Sequence, residues 1–271
     1  MTDAPPADLA ALGPRRGRDG HAMPIASSDV VTRPLKTSEN VARDIVHDIV
    51  VDHLSSGDRL PSEAAMLIQY GVSRESLREA LRLLEVQGLI TLRRGPGGGP
   101  VVGNVDPADL GRTSALYYHL AGGTYDELFE AWVLTESLLA ERAARNPDRE
   151  AVRAAMEAFT DEGARHDDAG VAGFVAVHTH FHRVVASLAE NRVLEIMLQT
   201  IGQIVTHHVV VNADPRDERE VILHDHSVVA RAIAAGRANK ASQTMGDHIS
   251  HMVSYYQTRL GTQLQDYIDW R

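Results

Sequence analysis

Four histidines stand where they could share a cation. His178 and His182, in FVAVHTHFHRVVASLAEN, are four residues apart. On a helix their imidazoles therefore lie on one face, one turn apart, within reach of a single metal ion. His180 falls about 200° round the same helix and should not join them. His226, which begins HSVVARAIAAG, and His248, in MGDHISHM, sit on two further predicted helices. Two ligands from one helix and one from each of two others is a way in which helical bundles build interior metal sites. Taken singly, each of the fourteen histidines reads as an ordinary core or surface residue. The joint placement is what suggests ligation.

A second constellation is cationic. Residues 57–102 read GDRLPSEAAMLIQYGVSRESLREALRLLEVQGLITLRRGPGGGPVV. Ser73 is a good N-cap, because its hydroxyl oxygen can accept from the first free amides of a helix. After it, Leu77, Ala80, Leu81 and Leu84 form one apolar stripe, while Arg74, Arg78 and Arg82 recur every four residues on another side. A short helix with an apolar back and an arginine front fits the DNA major groove. A hairpin is expected next, with strands at 89–92 and 101–102 and with Arg93 and Arg94 at the bend. Helix, turn, helix and hairpin in this order make a winged helix-turn-helix. Residues 95–100 are glycine-rich and read as too flexible for regular structure. They lack the Lys-Ser/Thr that a phosphate-binding loop needs.

The elements that hold these groups follow from composition. Net charge is −10, which looks wrong for a nucleic-acid binder until it is divided along the chain. Residues 36–103 hold eight basic and nine acidic side chains, whereas 104–271 hold 15 and 24. Within 74–94, five arginines face three glutamates, so the local field favours phosphate. Residues 1–35, rich in Ala, Pro, Gly and Arg, read as a disordered arm. An amphipathic helix from Lys36 to about Leu54, with Val41, Ile45, Ile49 and Val50 on one face, opens a DNA-binding domain over 36–103. From 104 to 265 the pattern is all-helical, with helices expected at 107–120, 124–144, 148–165, 170–188, 191–210, 215–235 and 238–260. Short connections make this an antiparallel bundle of six or seven helices. The fold class is therefore mainly α. No apolar run approaches a membrane span, no secretory h-region is visible, and there are no cysteines. A cytoplasmic protein without membrane contact is expected.

At residues 57–102 the sequence closely resembles the GntR family of bacterial transcription regulators. GDRLPSE, GVSRESLREALRLLEVQGLI and the RRG of the hairpin match that family's DNA-binding domain almost position for position. The resemblance implies DNA contacts from Ser73, Arg74, Ser76 and Arg78 on the recognition helix and from Arg94 and Gly95 on the wing. Arginine can offer a bidentate fork to guanine or clamp phosphate, and serine suits phosphate or an adaptable base contact. The family often has arginine directly after PSE, where this chain has Ala64.

The C-terminal part resembles the all-helical ligand-sensing domain of the FadR-type branch, known as FCD. In many members that domain holds a metal through an acidic residue, a histidine one turn later and two further histidines. The three histidines fall here on His182, His226 and His248, and the acidic position falls on His178. A four-histidine site is thus expected, which tilts the metal towards Zn²⁺, with Ni²⁺ and Co²⁺ as the other candidates. Relatives often have arginine where this chain has Trp132, at a position that can clamp a carboxylate ligand. An indole there implies a larger or more apolar effector, and a plain core role is the other reading of Trp132.

Two functions stay in view. One is a homodimeric repressor released from a palindromic operator by a small acyl or carboxylate-bearing effector. The other is a metal-dependent enzyme using the histidine cluster. Against the enzyme, no His-Glu-x-x-His occurs, and a four-histidine shell leaves no open position for an activated water.

Overall fold

The computed structural model describes residues 34–95, 98–104, 106–160, 170–208, 213–261 and 267–270. These fall into two compact units that divide between Asp109 and Leu110. The arm expected over 1–35 lies, up to residue 33, outside the described residues.

The first unit begins with α1 (Thr37–Val51), whose entry is closed by the Lys36 N–H donating to Glu39 Oε2 at 2.8 Å. Val41, Ala42 and Ile45 turn inward. Val50, expected on that face, is instead 66% exposed. It lies five residues past Ile45, about 140° round the helix and off the stripe. Helix α2 (Glu63–Tyr70) starts on Ser62, whose Oγ accepts from Ala65 N–H at 3.2 Å. It ends at Gly71, whose φ of 62° only glycine adopts without cost. Helix α3 (Arg74–Val86) opens on Ser73 as expected, and Ser73 Oγ accepts from Ser76 N–H at 3.1 Å. Leu77, Ala80, Leu81 and Leu84 bury the apolar stripe against α1, Met66 and Ile90.

The hairpin differs from expectation in detail. Strand β1 is Ile90–Arg93 and pairs antiparallel with β2, Gly99–Val102. Arg93 is therefore a strand residue opposite Gly99 and not part of the bend. Gly99 and Pro100, expected to be irregular, belong to β2. The reason lies upstream in GDRL. Leu60 N–H donates to the Pro100 carbonyl at 3.0 Å, Val102 N–H donates to Asp58 O at 2.9 Å, and Arg59 bridges Val101. Proline lacks a donor but keeps its acceptor, and the 57–60 segment uses it. Residues 96–97 lie outside the described residues.

The second unit is helical and begins within α4 (Pro107–Leu120), followed by α5 (Tyr125–Arg145), α6 (Arg149–Glu157), α7 (Gly170–Leu188), α8 (Arg192–His208), a 3₁₀ turn (Pro215–Glu218), α9 (Arg219–Ala234) and α10 (Ala238–Leu260). Helix α6 stops at Glu157 and not at 165, and residues 161–169 and 209–212 lie outside the described residues. The segment expected as one helix from 215 begins as the 3₁₀ turn, with Pro215 at its first position under an Asp214 cap. Helix α5 is central and packs against α7, α8, α9 and α10. Leu139, Phe181, Val185, Val229, Ile233, Met245, Ile249 and Met252 form the core around it. The α5–α6 corner is tied to α9 by Arg149, whose guanidinium donates to Ala144 O and Asn146 O and to Ile233 O and Ala234 O. These are carbonyls that helix ends leave without intrahelical partners.

Candidate metal centre and nucleic-acid interface

In the first unit the reader residues lie on the surface. Arg74, Arg78 and Arg82 are exposed along α3, and Ser76 is half-buried. Arg78 Nε lies 3.4 Å from Glu63 Oε2, an exposed pair too weak to withhold the guanidinium from a phosphate. The Ser73 hydroxyl is committed locally, since it caps α3 and also donates to Ser76 Oγ at 3.1 Å. Arg94 and Gly95 are exposed where β1 ends. The wing is pinned to α3 by Leu92 N–H donating to Glu85 Oε1 at 3.2 Å.

In the second unit α7 carries His178 and His182, α9 carries His226, and α10 carries His248. One ring nitrogen from each lies within 4.8 Å of the other three. Neighbouring ring centroids are 4.6 Å apart for His178 and His182, 5.0 Å for His178 and His226, and 4.8 Å for His226 and His248. His180 points away and meets Phe159. Four donors this close can be drawn onto a cation with metal–nitrogen bonds of about 2 Å.

The electrostatics suit that purpose. Burial, and then the neighbouring His182 and His248, hold the His178 imidazole well below the usual histidine range. His248 is lowered too, chiefly by burial, with its Asp225 hydrogen bond opposing. Both are thereby kept in the neutral form that ligates. His182 Nε2 and His248 Nε2 are buried with no hydrogen-bond partner. Such orphaned nitrogens are costly unless something binds them. The residues fit a divalent cation.

Two carboxylates that the sequence reading missed stand behind the rings. Asp225 Oδ2 lies 3.2 Å from His248 Nδ1. Glu136, on α5, places Oε1 2.8 Å from His182 Nδ1, at an angle short of a formed hydrogen bond. The same Oε1 accepts from Trp132 Nε1–H at 3.3 Å. Trp132 is 6% exposed, within the core cluster, and turned towards this carboxylate. A signal for Glu136 did exist: it sits one turn after Trp132 on the stripe that continues through Leu139, Ala140 and Ala143, where a charge needs an explanation.

Comparison with known proteins places both halves. Residues 37–98 match the family described as bacterial regulatory proteins, gntR family, and residues 127–251 match the FCD domain. The chain is 29% identical over 221 residues to the uncharacterized HTH-type transcriptional regulator YcbG of Bacillus subtilis, covering 82% of this chain and 90% of that one. It is 24% identical to the Uxu operon regulator of Haemophilus influenzae, covering 80% of each. It is also 24% identical to the HTH-type transcriptional repressor NanR of Salmonella newport, covering 80% and 85%. Among solved structures, Streptococcus agalactiae GntR shares the fold with a TM-score of 0.56 at 22% identity, over 79% of this chain and 98% of that one.

Proposed function

We propose that this chain, which belongs to the gntR family of bacterial regulatory proteins and carries an FCD domain in its C-terminal half, is a repressor whose hold on DNA is set by a small organic effector and a divalent cation. It is a DNA-binding transcription regulator and not an enzyme, since both matched families and the relatives named above are those of regulators. No helix among the described residues is long and apolar enough to cross a membrane. The finer reading is of a cytoplasmic homodimer on a palindromic operator. Each subunit reads one half-site with Ser73, Arg74, Ser76 and Arg78 and touches the backbone with Arg94 and Gly95. Repression is favoured by the likeness to a protein named as a repressor.

The observation that carries the sensing half is the meeting of four imidazoles from three helices, with the Nε2 atoms of His182 and His248 buried and without a hydrogen-bond partner. His178, His182, His226 and His248 would hold the cation, Zn²⁺ first and Ni²⁺ or Co²⁺ next by ligand softness. When bound, the cation would supply positive charge towards which a carboxylate of the effector is drawn without entering the four-histidine shell. His178 is the one residue of the four that is part-exposed, so the effector is placed on its side, with an acyl or carboxylate-bearing body packed towards Trp132.

Gel-shift assays on the DNA upstream of the protein's own coding sequence, paired with elemental analysis of tag-free protein, test both halves. Saturable binding that depends on salt, with close to one metal per chain, is the expected result. Absence of any shift overturns the operator assignment, and metal-free protein purified without chelator overturns the centre.

A further inference from the structure

We infer that Glu136 is the positioning carboxylate of the histidine centre: it turns His182 towards the cation, supplies negative charge that four imidazoles lack, and carries the cation's arrival to Trp132. This rests on the histidine reading above and goes beyond it, because the four converging donors are all imidazoles and Glu136 is not among them.

The argument begins with charge. A divalent cation held by four neutral rings keeps its full charge inside an apolar core, which is costly without a counter-charge nearby. Two carboxylates adjoin the rings. The Asp225 side chain is 26% exposed and shares its charge with solvent, whereas Glu136 is only 1% exposed. A buried carboxylate is expensive in its own right. Glu136 nevertheless leaves Oε2 without any hydrogen-bond donor. One bare buried oxygen beside a cluster of orphaned ring nitrogens marks a place where positive charge is meant to sit.

Geometry then sets the proton. With a cation on His182 Nε2, the ring proton must occupy Nδ1, and Glu136 Oε1 stands 2.8 Å away to accept it. A carboxylate behind a ligating histidine fixes both tautomer and ring orientation. The same oxygen accepts from the Trp132 indole one turn earlier on α5, so tightening at His182 is transmitted to that indole. If Glu136 only packed α5 against α7, the isosteric amide would serve as well.

The test uses full-length protein with Trp270→Phe, so that Trp132 is the remaining tryptophan. This parent, Glu136→Gln and Glu136→Asp are stripped with chelator and titrated with Zn²⁺ against a chromophoric competitor, while indole emission is followed. Glu136→Gln should melt no lower than the parent when zinc-free, yet bind Zn²⁺ about 10–100-fold more weakly. It should also lose the change in Trp132 emission that zinc produces in the parent. Glu136→Asp, which keeps the charge, should bind more tightly than Glu136→Gln. Parental zinc affinity in Glu136→Gln overturns the inference, as does equal affinity in the Asp and Gln variants. A zinc-free melt that drops with affinity unchanged reduces Glu136 to packing and overturns it too. If the parent binds no Zn²⁺, the histidine centre itself fails together with this role. If the parent binds and the variant matches it, the centre stands and only Glu136 is demoted.

Discussion

Asp225 Oδ2 lies 3.2 Å from His248 Nδ1, one residue before His226 and across the α9–α10 contact. A single turn of α9 thus offers an imidazole directly and orients another from the neighbouring helix. The remote nitrogen of His248 is left buried and bare, facing the other three rings. Asp225→Asn should therefore weaken zinc binding by about 10-fold or more while leaving DNA affinity of the zinc-saturated protein unchanged. Competition titration reads the first quantity and gel shift the second. Unchanged zinc affinity would detach Asp225 from the centre.

The cation should also act as a cross-link between α7, α9 and α10. Because it binds the folded chain far better than the unfolded one, the melting temperature should rise with free Zn²⁺ by mass action and fall on chelation. At 100 times the dissociation constant the gain is about 2.7 kcal/mol. A variant with His182, His226 and His248 all replaced by alanine should show no zinc-dependent shift. A calorimetric shift that survives in that variant places the binding elsewhere.

Acid should destabilise the metal-free protein. His178 and His248 titrate below the ordinary histidine value when folded, and near about 6.5 when unfolded. Below that pH the unfolded chain takes up protons that the folded chain refuses. Stability attributable to these rings is thus complete above about 6.5 and is lost as pH falls beneath it, by at most about 1.4 kcal/mol per pH unit for each ring. Chelated wild type and His178→Gln, melted from pH 8 to pH 5, should diverge only in the lower part of that range, with the wild type falling more steeply. Parallel curves would show that the folded ring is not depressed.

On the reader, Arg74→Ala and Arg78→Ala should each cost about 1–3 kcal/mol of operator affinity where the lost contact is bidentate. A loss of phosphate contact alone would appear as a flatter salt dependence, uniform across sequences. Ser73→Ala should act differently, lowering reader stability by about 0.5–2 kcal/mol through the lost N-cap. Operator affinity that survives both arginine variants at moderate salt removes α3 as the recognition helix.

Arg149→Met tests the α5–α6 corner. Its guanidinium satisfies carbonyls at the ends of two helices. Removing it leaves those acceptors to find water and should cost about 1–3 kcal/mol, visible in thermal melts of zinc-loaded and zinc-free protein alike. A loss seen only in the zinc-loaded form would instead couple this corner to the cation.

Much of the molecule follows from local rules that the chain states outright. The N-cap Ser73 and the apolar period through Leu84 mark α3, and four-residue spacing alone puts His178 and His182 on one face. Both depend on geometry within a few turns of backbone, so sequence determines them. The family likeness then extends that reading to His226 and His248. Tertiary packing decided the rest. Pro100 is a strand residue because a segment forty residues earlier borrows its carbonyl. Glu136 and Asp225 matter because α5 packs on α7 and α9 packs on α10, each carrying a carboxylate to a ring on the other helix. Whether the Trp132 indole meets effector or core depends likewise on where its N–H points, and in this fold it points at Glu136. A helical pattern shows which face turns inward. The atoms met there belong to other helices, and only the assembled core brings them within 3 Å or so of one another.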